Sequence, residues 1–165
     1  MKGLNELKVL GIDPGSHATG YGVIEKVDRD LHCIIYGEVK PPKKARLSVC
    51  LTTIYAGIKE AIHNSNPEIM AIENIFYGKN ISSLIKQGHV RGVAVLAGAE
   101  DGLLIFEYTP LEIKKAVTGY GLAEKIQIQI MVKKILRLKE MPSPDAADAL
   151  AVAICHMNFL KIEQV

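Results

Sequence analysis

The hydrophobic pattern predicts that the chain opens with three strands in succession. Branched, aromatic and other strand-forming residues fill segments 7–12, 19–26 and 31–39, and turn-forming residues lie between them. Asp13-Pro14-Gly15 follows the first segment and cannot continue a central strand. The polar Asp28-Arg29-Asp30 predicts a hairpin between the second and third segments.

After residue 44, helical repeats alternate with short apolar runs. Apolar residues recur at helical spacing between Leu47 and Ile62 and predict a helix over residues 44–63. The uninterrupted apolar run at 69–72 predicts a strand that is covered on both faces and leads into Glu73. Further elements are predicted as a strand over 103–108 and helices over 81–100, 110–117, 123–138 and 143–160. The pattern predicts an α/β fold, with a mixed sheet and helices on both of its faces, in one domain over residues 1–165.

Composition places the chain among ordinary globular proteins, since 48% of its residues are hydrophobic and 23% are charged. The three cysteines are widely spaced and match neither a disulfide framework nor a zinc site, so we expect a reducing, cytoplasmic location. Glu6 and Lys8 interrupt the N-terminal segment, and we expect no secretion signal. The apolar stretches fall short of the roughly 20 residues that a membrane span requires, so we expect no membrane association.

Charge is distributed unevenly along the chain, although the net charge is only +2. Residues 79–139 hold 10 basic and 5 acidic side chains, whereas residues 140–165 hold 1 and 4. A basic surface beside carboxylates suits an enzyme that cuts phosphodiester bonds, because the cations hold the polyanion and the carboxylates hold metal. A solvated, lysine-rich helix face explains the basic residues equally well.

Acidic residues end both of the predicted central strands. Asp13 stops the first strand, where a buried carboxylate must be hydrogen-bonded, paired or bound to metal; a turn former before Pro-Gly is the alternative explanation. Glu73 ends an apolar run at the carboxyl end of its strand, and strands disfavour glutamate. Ligands of open α/β sheets collect outside the carboxyl ends of strands, so both residues are candidates for one site.

The last predicted helix adds two further acids. Ser143 is a plausible N-cap and Pro144 a good first helical residue, so the helix dipole alone explains Asp145. Asp148 lies three residues further on, on the same face, where two carboxylates repel each other unless a cation lies between them. With Asp13 and Glu73, they predict an oxygen-only site for Mg²⁺ or Mn²⁺, in which two ions activate water and stabilise a leaving oxygen.

Several segments taken together resemble the RuvC family of bacterial Holliday-junction resolvases, the crossover junction endodeoxyribonucleases. The matching segments are 11–16 (GIDPGS), 19–22 (TGYG), 71–73 (AIE) with Phe76 and Lys79, 88–93, and 145–151 (DAADALA). They occur in order within residues 8–157. The resemblance implies a ribonuclease H-like fold, which is a five-stranded mixed sheet flanked by helices, and a homodimer whose two sites face opposed strands of four-way junction DNA.

The resemblance also assigns roles to particular residues. It implies that two Mg²⁺ ions per site, with Mn²⁺ as a substitute, are held by the catalytic acids Asp13, Glu73, Asp145 and Asp148. The implied DNA contacts are Phe76, which would stack on an unpaired base, and Lys79, Lys114 and Lys125; core or surface roles would also explain them. The helix over 81–100 would form the dimer contact. His17 and His89 depart from the family pattern, in which we expect arginine and glutamine.

The expected function is resolution of Holliday junctions in recombination and repair. Two opposed strands would be nicked symmetrically in a reaction that depends on divalent metal, leaving 5′-phosphate and 3′-hydroxyl ends, and the RuvA–RuvB branch-migration complex is the expected partner. The alternative is another ribonuclease H-like nuclease, such as the YqgF group, that acts on RNA or other structured nucleic acid. A noncatalytic junction-binding module is a third interpretation.

Overall fold

A computed structural model of the chain describes residues 7–75 and 80–162. Within them, the elements in order are β1 (Lys8–Asp13), β2 (Thr19–Val27), β3 (Asp30–Val39), α1 (Leu47–Ser65), β4 (Ile69–Glu73), α2 (Ile81–Glu100), β5 (Leu104–Tyr108), α3 (Pro110–Thr118), α4 (Lys125–Ile135) and α5 (Pro144–Ile162). The strands form one sheet in the order β3-β2-β1-β4-β5. The first three strands are antiparallel, whereas β4 and β5 run parallel to β1. The predicted mixed α/β sheet is confirmed.

Each face of the sheet supports its own layer of helices. Alternate residues of a strand point to opposite faces, so Val9 of β1 packs with α3, α4 and α5 while Leu10 and Ile12 pack with α1 and α2. In the layer formed by α3, α4 and α5, helix α5 lies closest to the sheet. A Cβ atom on Gly11 would lie 2.0 Å from the carbonyl oxygen of Ala149, so the glycine allows the helix backbone to rest directly on β1.

Two predicted helices differ from the observed ones at their ends. The first, predicted over 44–63, is displaced to Leu47–Ser65, and the second is shorter than predicted. The predicted helix over 44–63 begins only at Leu47, because Lys44 adopts a left-handed conformation (φ 57°) in a turn. The predicted helix over 123–138 covers only Lys125–Ile135. Glu124 is its N-cap, and the positive φ of Arg137 (52°) prevents continuation beyond the C-terminus. None of the helices in the described ranges is long and apolar enough to cross a membrane.

Candidate active site

One row of residues crosses the sheet at the end where β1 and β4 finish. The strand register places Asp13 opposite Gly20, and Gly20 opposite Glu38. The parallel pairing of β1 with β4 brings Glu73 beside Asp13 on the other side. Residues opposite each other in neighbouring strands point to the same face, so the three acids of this row, which we call the carboxylate row, all face α5.

The first turns of α5 bring the two remaining acids to the row. The Ser143 hydroxyl accepts a hydrogen bond from the Ala146 N–H (3.4 Å), as an N-cap does, and donates one to Glu38 Oε1 (2.6 Å). A Cβ atom on Gly20 would lie 2.0 Å from the Asp145 carbonyl oxygen, so only glycine allows this approach. The helix start is thereby attached to β2 and β3.

Burial and mutual repulsion perturb the carboxyl groups strongly. The pKa of Asp13 is raised, first by its desolvation and then by the negative charges of Glu73, Asp148 and Asp145. A further interaction with the Glu73 side chain acts in the same direction on the Asp13 pKa. The structure therefore brings together the four acids predicted from the sequence, and burial and mutual repulsion disfavour the charged form of Asp13.

Two lysines oppose this negative charge. Burial raises the pKa values of Glu73 and Asp148, and the charges of Lys125 and Lys114 act in the opposite direction. Lys125 Nζ lies 3.6 Å from Asp148 Oδ2. Both lysines line a cavity of about 580 Å³ together with three of the acids. The predicted phosphate-binding lysines Lys114 and Lys125 thus lie at the site itself.

The donor set fits divalent cations, although the side chains are not yet arranged around one. Within residues 7–75 and 80–162, no three or more His, Cys, Asp or Glu side chains form a ready metal site. Carboxylate oxygens are the donors that Mg²⁺ and Mn²⁺ prefer. A cation between Asp13 and its neighbours would offset the repulsion that, after desolvation, raises the Asp13 pKa.

The other residues that the sequence singled out either lie apart from this cavity or lie outside the described residues. Phe76 and Lys79, two of the predicted DNA contacts, lie outside the described residues. His17 is exposed, with its ring nitrogen 3.4 Å from the Ser16 hydroxyl. His89 is exposed on α2.

A fifth acid, Glu38, lies beside the four that the sequence patterns predicted. Its side chain is 13% exposed and accepts hydrogen bonds from Lys40 Nζ and Ser143 Oγ, each at 2.6 Å. These partners, Lys40 first, lower the Glu38 pKa, and Asp145 is also hydrogen-bonded to it. Glu38 therefore fixes the start of α5. The sequence shows only a glutamate in a strand, since its importance depends on the register between β2 and β3.

Arg91, on the helix α2 that the resemblance implies as the dimer contact, has a role that the sequence did not predict: it supports the end of β4 from the opposite layer. Its Nε donates to the backbone carbonyl of Glu73 (3.4 Å), and its Nη2 lies 2.6 Å from Glu107 Oε1. The side chain is only 17% exposed. A lone arginine among the small and apolar residues 88–99 is the sequence signal that points to such a buried contact.

The strand order and the acids at the ends of β1 and β4 and on α5 define a ribonuclease H-like nuclease. Comparison with known proteins gives the family. The model of the crossover junction endodeoxyribonuclease RuvC family matches residues 9–156. The chain is 48% identical over 153 residues to RuvC of Caldanaerobacter subterraneus subsp. tengcongensis, covering 92% of this chain and 93% of that one. The chain belongs to the crossover junction endodeoxyribonuclease RuvC family, which confirms the resemblance.

Solved structures agree with this assignment. The chain is similar to Thermus thermophilus RuvC in complex with a Holliday junction substrate, with a TM-score of 0.88 and 32% identity, over 95% of this chain and 96% of that one. The yeast mitochondrial Holliday junction resolvase is more distant, with a TM-score of 0.68 and 13% identity over 94% and 80% of the two chains. At that identity the likeness concerns the fold alone.

Proposed function

We propose that the chain resolves Holliday junctions by nicking two opposed strands of four-way junction DNA at symmetric positions, leaving 5′-phosphate and 3′-hydroxyl ends. Its catalytic residues and metal ligands are Asp13, Glu73, Asp145 and Asp148. The observation that carries this proposal is their convergence beside a cavity that two lysines also line. Acids that hold cations and lysines that hold phosphates are the groups that metal-assisted phosphodiester hydrolysis requires.

The positions of the residues in the site suggest separate roles in holding metal ions and in holding phosphates. Two Mg²⁺ ions, or Mn²⁺ in their place, would lower the pKa of an attacking water and stabilise the leaving oxygen. Asp13 is central, because its carboxyl group interacts with all three other acids; it would contribute to holding both ions. Glu73 and Asp148 line the cavity, where Lys114 and Lys125 would hold the phosphates that flank the cleaved bond.

A homodimer through α2 would supply the second site that a symmetric cut requires. Ile81, Ile85 and Leu96 on this helix are 72%, 56% and 53% exposed, and they are separated by intervals that place them along one side of the helix. A large exposed apolar stripe is typical of an interface. A two-fold axis in the dimer would match the two-fold arrangement of opposed strands in a junction.

The family relationship also suggests where the reaction takes place and with what partner. We infer a cytoplasmic enzyme, and the free thiols of Cys33, Cys50 and Cys155 are those of a reducing compartment. We also infer a partnership with the RuvA–RuvB branch-migration complex, for which the support is membership in the RuvC family.

A substrate panel tests the proposal. End-labelled mobile and fixed four-way junctions are incubated with the chain beside matched duplex, single-stranded DNA and an RNA–DNA hybrid, with Mg²⁺, Mn²⁺ or chelator. Paired, metal-dependent nicks at symmetric positions, confined to the junction, are the expected result. Cleavage of the hybrid in preference to the junction would overturn the proposal and favour another ribonuclease H-like nuclease such as the YqgF group.

A further inference from the structure

A second cleft, of about 450 Å³, lies beside the turn that follows Asp13, and three of its ten lining residues are lysines. Lys43 and Lys44 come from the segment between β3 and α1, and Lys86 comes from α2. Ser16 and His17, three and four residues after Asp13, complete this side of the cleft. Two segments that are distant in sequence therefore bring lysines to one place beside the turn after β1, and we call this place the basic cleft.

The charge of the basic cleft is not compensated by neighbouring acids. Four other surface clefts each include at least one Asp or Glu in their lining, whereas the basic cleft includes none among its lining residues. In the described part of the chain, Lys43, Lys44 and Lys86 form no ion pair. Lysines that share a concave surface without an acid attract a polyanion.

The basic cleft is attached to the backbone beside Asp13 by two hydrogen bonds. The Cys50 thiol of α1 donates to the Ser16 carbonyl (3.3 Å), and Gln87 Nε2 of α2 donates to the Pro14 carbonyl (3.4 Å). The lysine-bearing turn is fixed as well, since the Ala45 N–H donates to the Pro42 carbonyl (3.1 Å). Its distance from the carboxylate row is therefore set by the fold.

The two sets of lysines approach Asp13 from opposite layers of the fold. Lys114 and Lys125 belong to α3 and α4, on the α5 face of the sheet. The basic cleft lies beside α1 and α2, on the other face. Both are at the end of the sheet where β1, β3 and β4 finish, because α1 and α2 follow β3 and β4. A polyanion that crosses this end meets cations on both sides of the acids.

We propose that the basic cleft is a second phosphate-binding site, which holds the DNA backbone on the α1/α2 side of the carboxylate row. This inference rests on the proposed function, because its ligand is the same nucleic acid that the acids cleave. Lys43, Lys44 and Lys86 contact phosphates and not bases, so they contribute affinity and position without sequence preference. The backbone is then held at two places, with the cleaved bond between them.

The salt dependence of binding tests the proposal. We would measure binding of a four-way junction and of matched duplex in chelator, from 50 to 300 mM NaCl, for the wild type and for Lys43→Gln/Lys44→Gln/Lys86→Gln. Each phosphate contact contributes about 0.9 to the slope of log K against log[salt], so we expect the slope to fall by about 2 to 3. At 0.1 M salt this corresponds to about a tenfold loss of affinity for each contact.

A matched variant and the wild type separate the possible outcomes. Lys26→Gln/Arg29→Gln removes two positive charges near the β2–β3 hairpin, at the other end of the sheet, and should leave the slope unchanged. A triple variant that keeps its fold by circular dichroism and the full wild-type slope would overturn the basic cleft. A wild type that binds duplex but does not bind junctions, and does not cleave them when Mg²⁺ replaces the chelator, would overturn the proposed function, and the duplex slopes would still decide the cleft.

Discussion

The α5 face of the sheet holds two sets of buried titratable groups that differ in what surrounds them. Where the carboxylate row meets the start of α5, Asp13 is repelled by the charges of Glu73, Asp145 and Asp148, and three of these acids line a cavity. Further along α5, His156 is 1% exposed, its Nδ1 lies 2.6 Å from the Tyr108 hydroxyl, and its ring packs 4.6 Å from that of Phe106. Burial shifts pKa values in both places, to about 4 for His156. Desolvation alone therefore does not mark a site; converging like charges beside a cavity do.

The largest expected effect is loss of cleavage when the central acid is neutralised. Asp13→Asn keeps the size of the side chain but removes a charge that interacts with the three other acids, so we expect cleavage to fall at least about a thousandfold while junction binding persists. Single-turnover cleavage and anisotropy measure the two quantities. Asp28→Asn in the exposed hairpin, where Asn also tolerates the positive φ (55°), is the control. Cleavage that survives in Asp13→Asn would remove Asp13 from the mechanism.

Protonation of His156 should change the stability of the fold without changing the cleavage reaction. Since burial lowers the His156 pKa to about 4, protonation favours the unfolded chain, and stability is lost as pH falls from about 6.5 to about 4. Relative to His156→Phe, the wild type should lose about 2 to 3 kcal/mol of unfolding free energy between pH 7 and pH 4. Urea melts measure this difference, with the exposed His32→Gln as the control. If the unfolding free energies of the wild type and His156→Phe depend on pH in the same way, this prediction is contradicted.

The carboxylate row should show the opposite dependence on pH. The raised pKa of Asp13 means that the folded chain retains a proton which the unfolded chain releases, so stability falls as pH rises above the ordinary range of an aspartate. Without metal at pH 7, Asp13→Asn should therefore be more stable than the wild type, by about 1 to 2 kcal/mol. Added Mg²⁺ should stabilise the wild type and not the variant. Thermal melts with and without Mg²⁺ decide this, and equal Mg²⁺ shifts would refute a cation site at Asp13.

A smaller effect on cleavage is expected from removing Arg91, which supports the end of β4 beside the carboxylate row. Arg91→Met removes the donor to the Glu73 carbonyl and the ion pair with Glu107, so the end of β4 is held less firmly. We expect kcat to fall about tenfold with little change in KM, since a misplaced group costs rate more than binding. Arg91→Lys should recover part of the rate, and the exposed Arg137→Met is the control. A change confined to KM would assign Arg91 to binding instead.

The sequence predicted the strands and four of the acids because those residues interrupt strong local patterns. Glu73 ends an apolar run, and Asp145 and Asp148 share one face of a helix with a clear start. The role of Glu38 could not be predicted from the sequence, because its hydrogen bond with Ser143 joins residues 105 positions apart. Only the register of the sheet brings these two residues together.

The start of α1 shows a second property that the hydrophobic pattern did not predict, which is the exact residue at which a helix begins. Lys44 has a high helix propensity, yet its positive φ keeps it in the turn that carries the basic cleft. A local turn accompanies this conformation, since the Ala45 N–H donates to the Pro42 carbonyl. Hydrophobic spacing reports which residues face the core and carries little information on where the first turn begins.

The most direct measurement is anomalous diffraction from crystals of the chain grown with Mn²⁺, compared with crystals of Asp13→Asn. Two peaks should lie within bonding distance of the Asp13 carboxylate, with Glu73, Asp145 and Asp148 among the other ligands, and both peaks should weaken or vanish in the variant. Peaks that lie elsewhere, or that persist unchanged when Asp13 is neutralised, would contradict the assignment of Asp13, Glu73, Asp145 and Asp148 as the metal ligands of the nuclease.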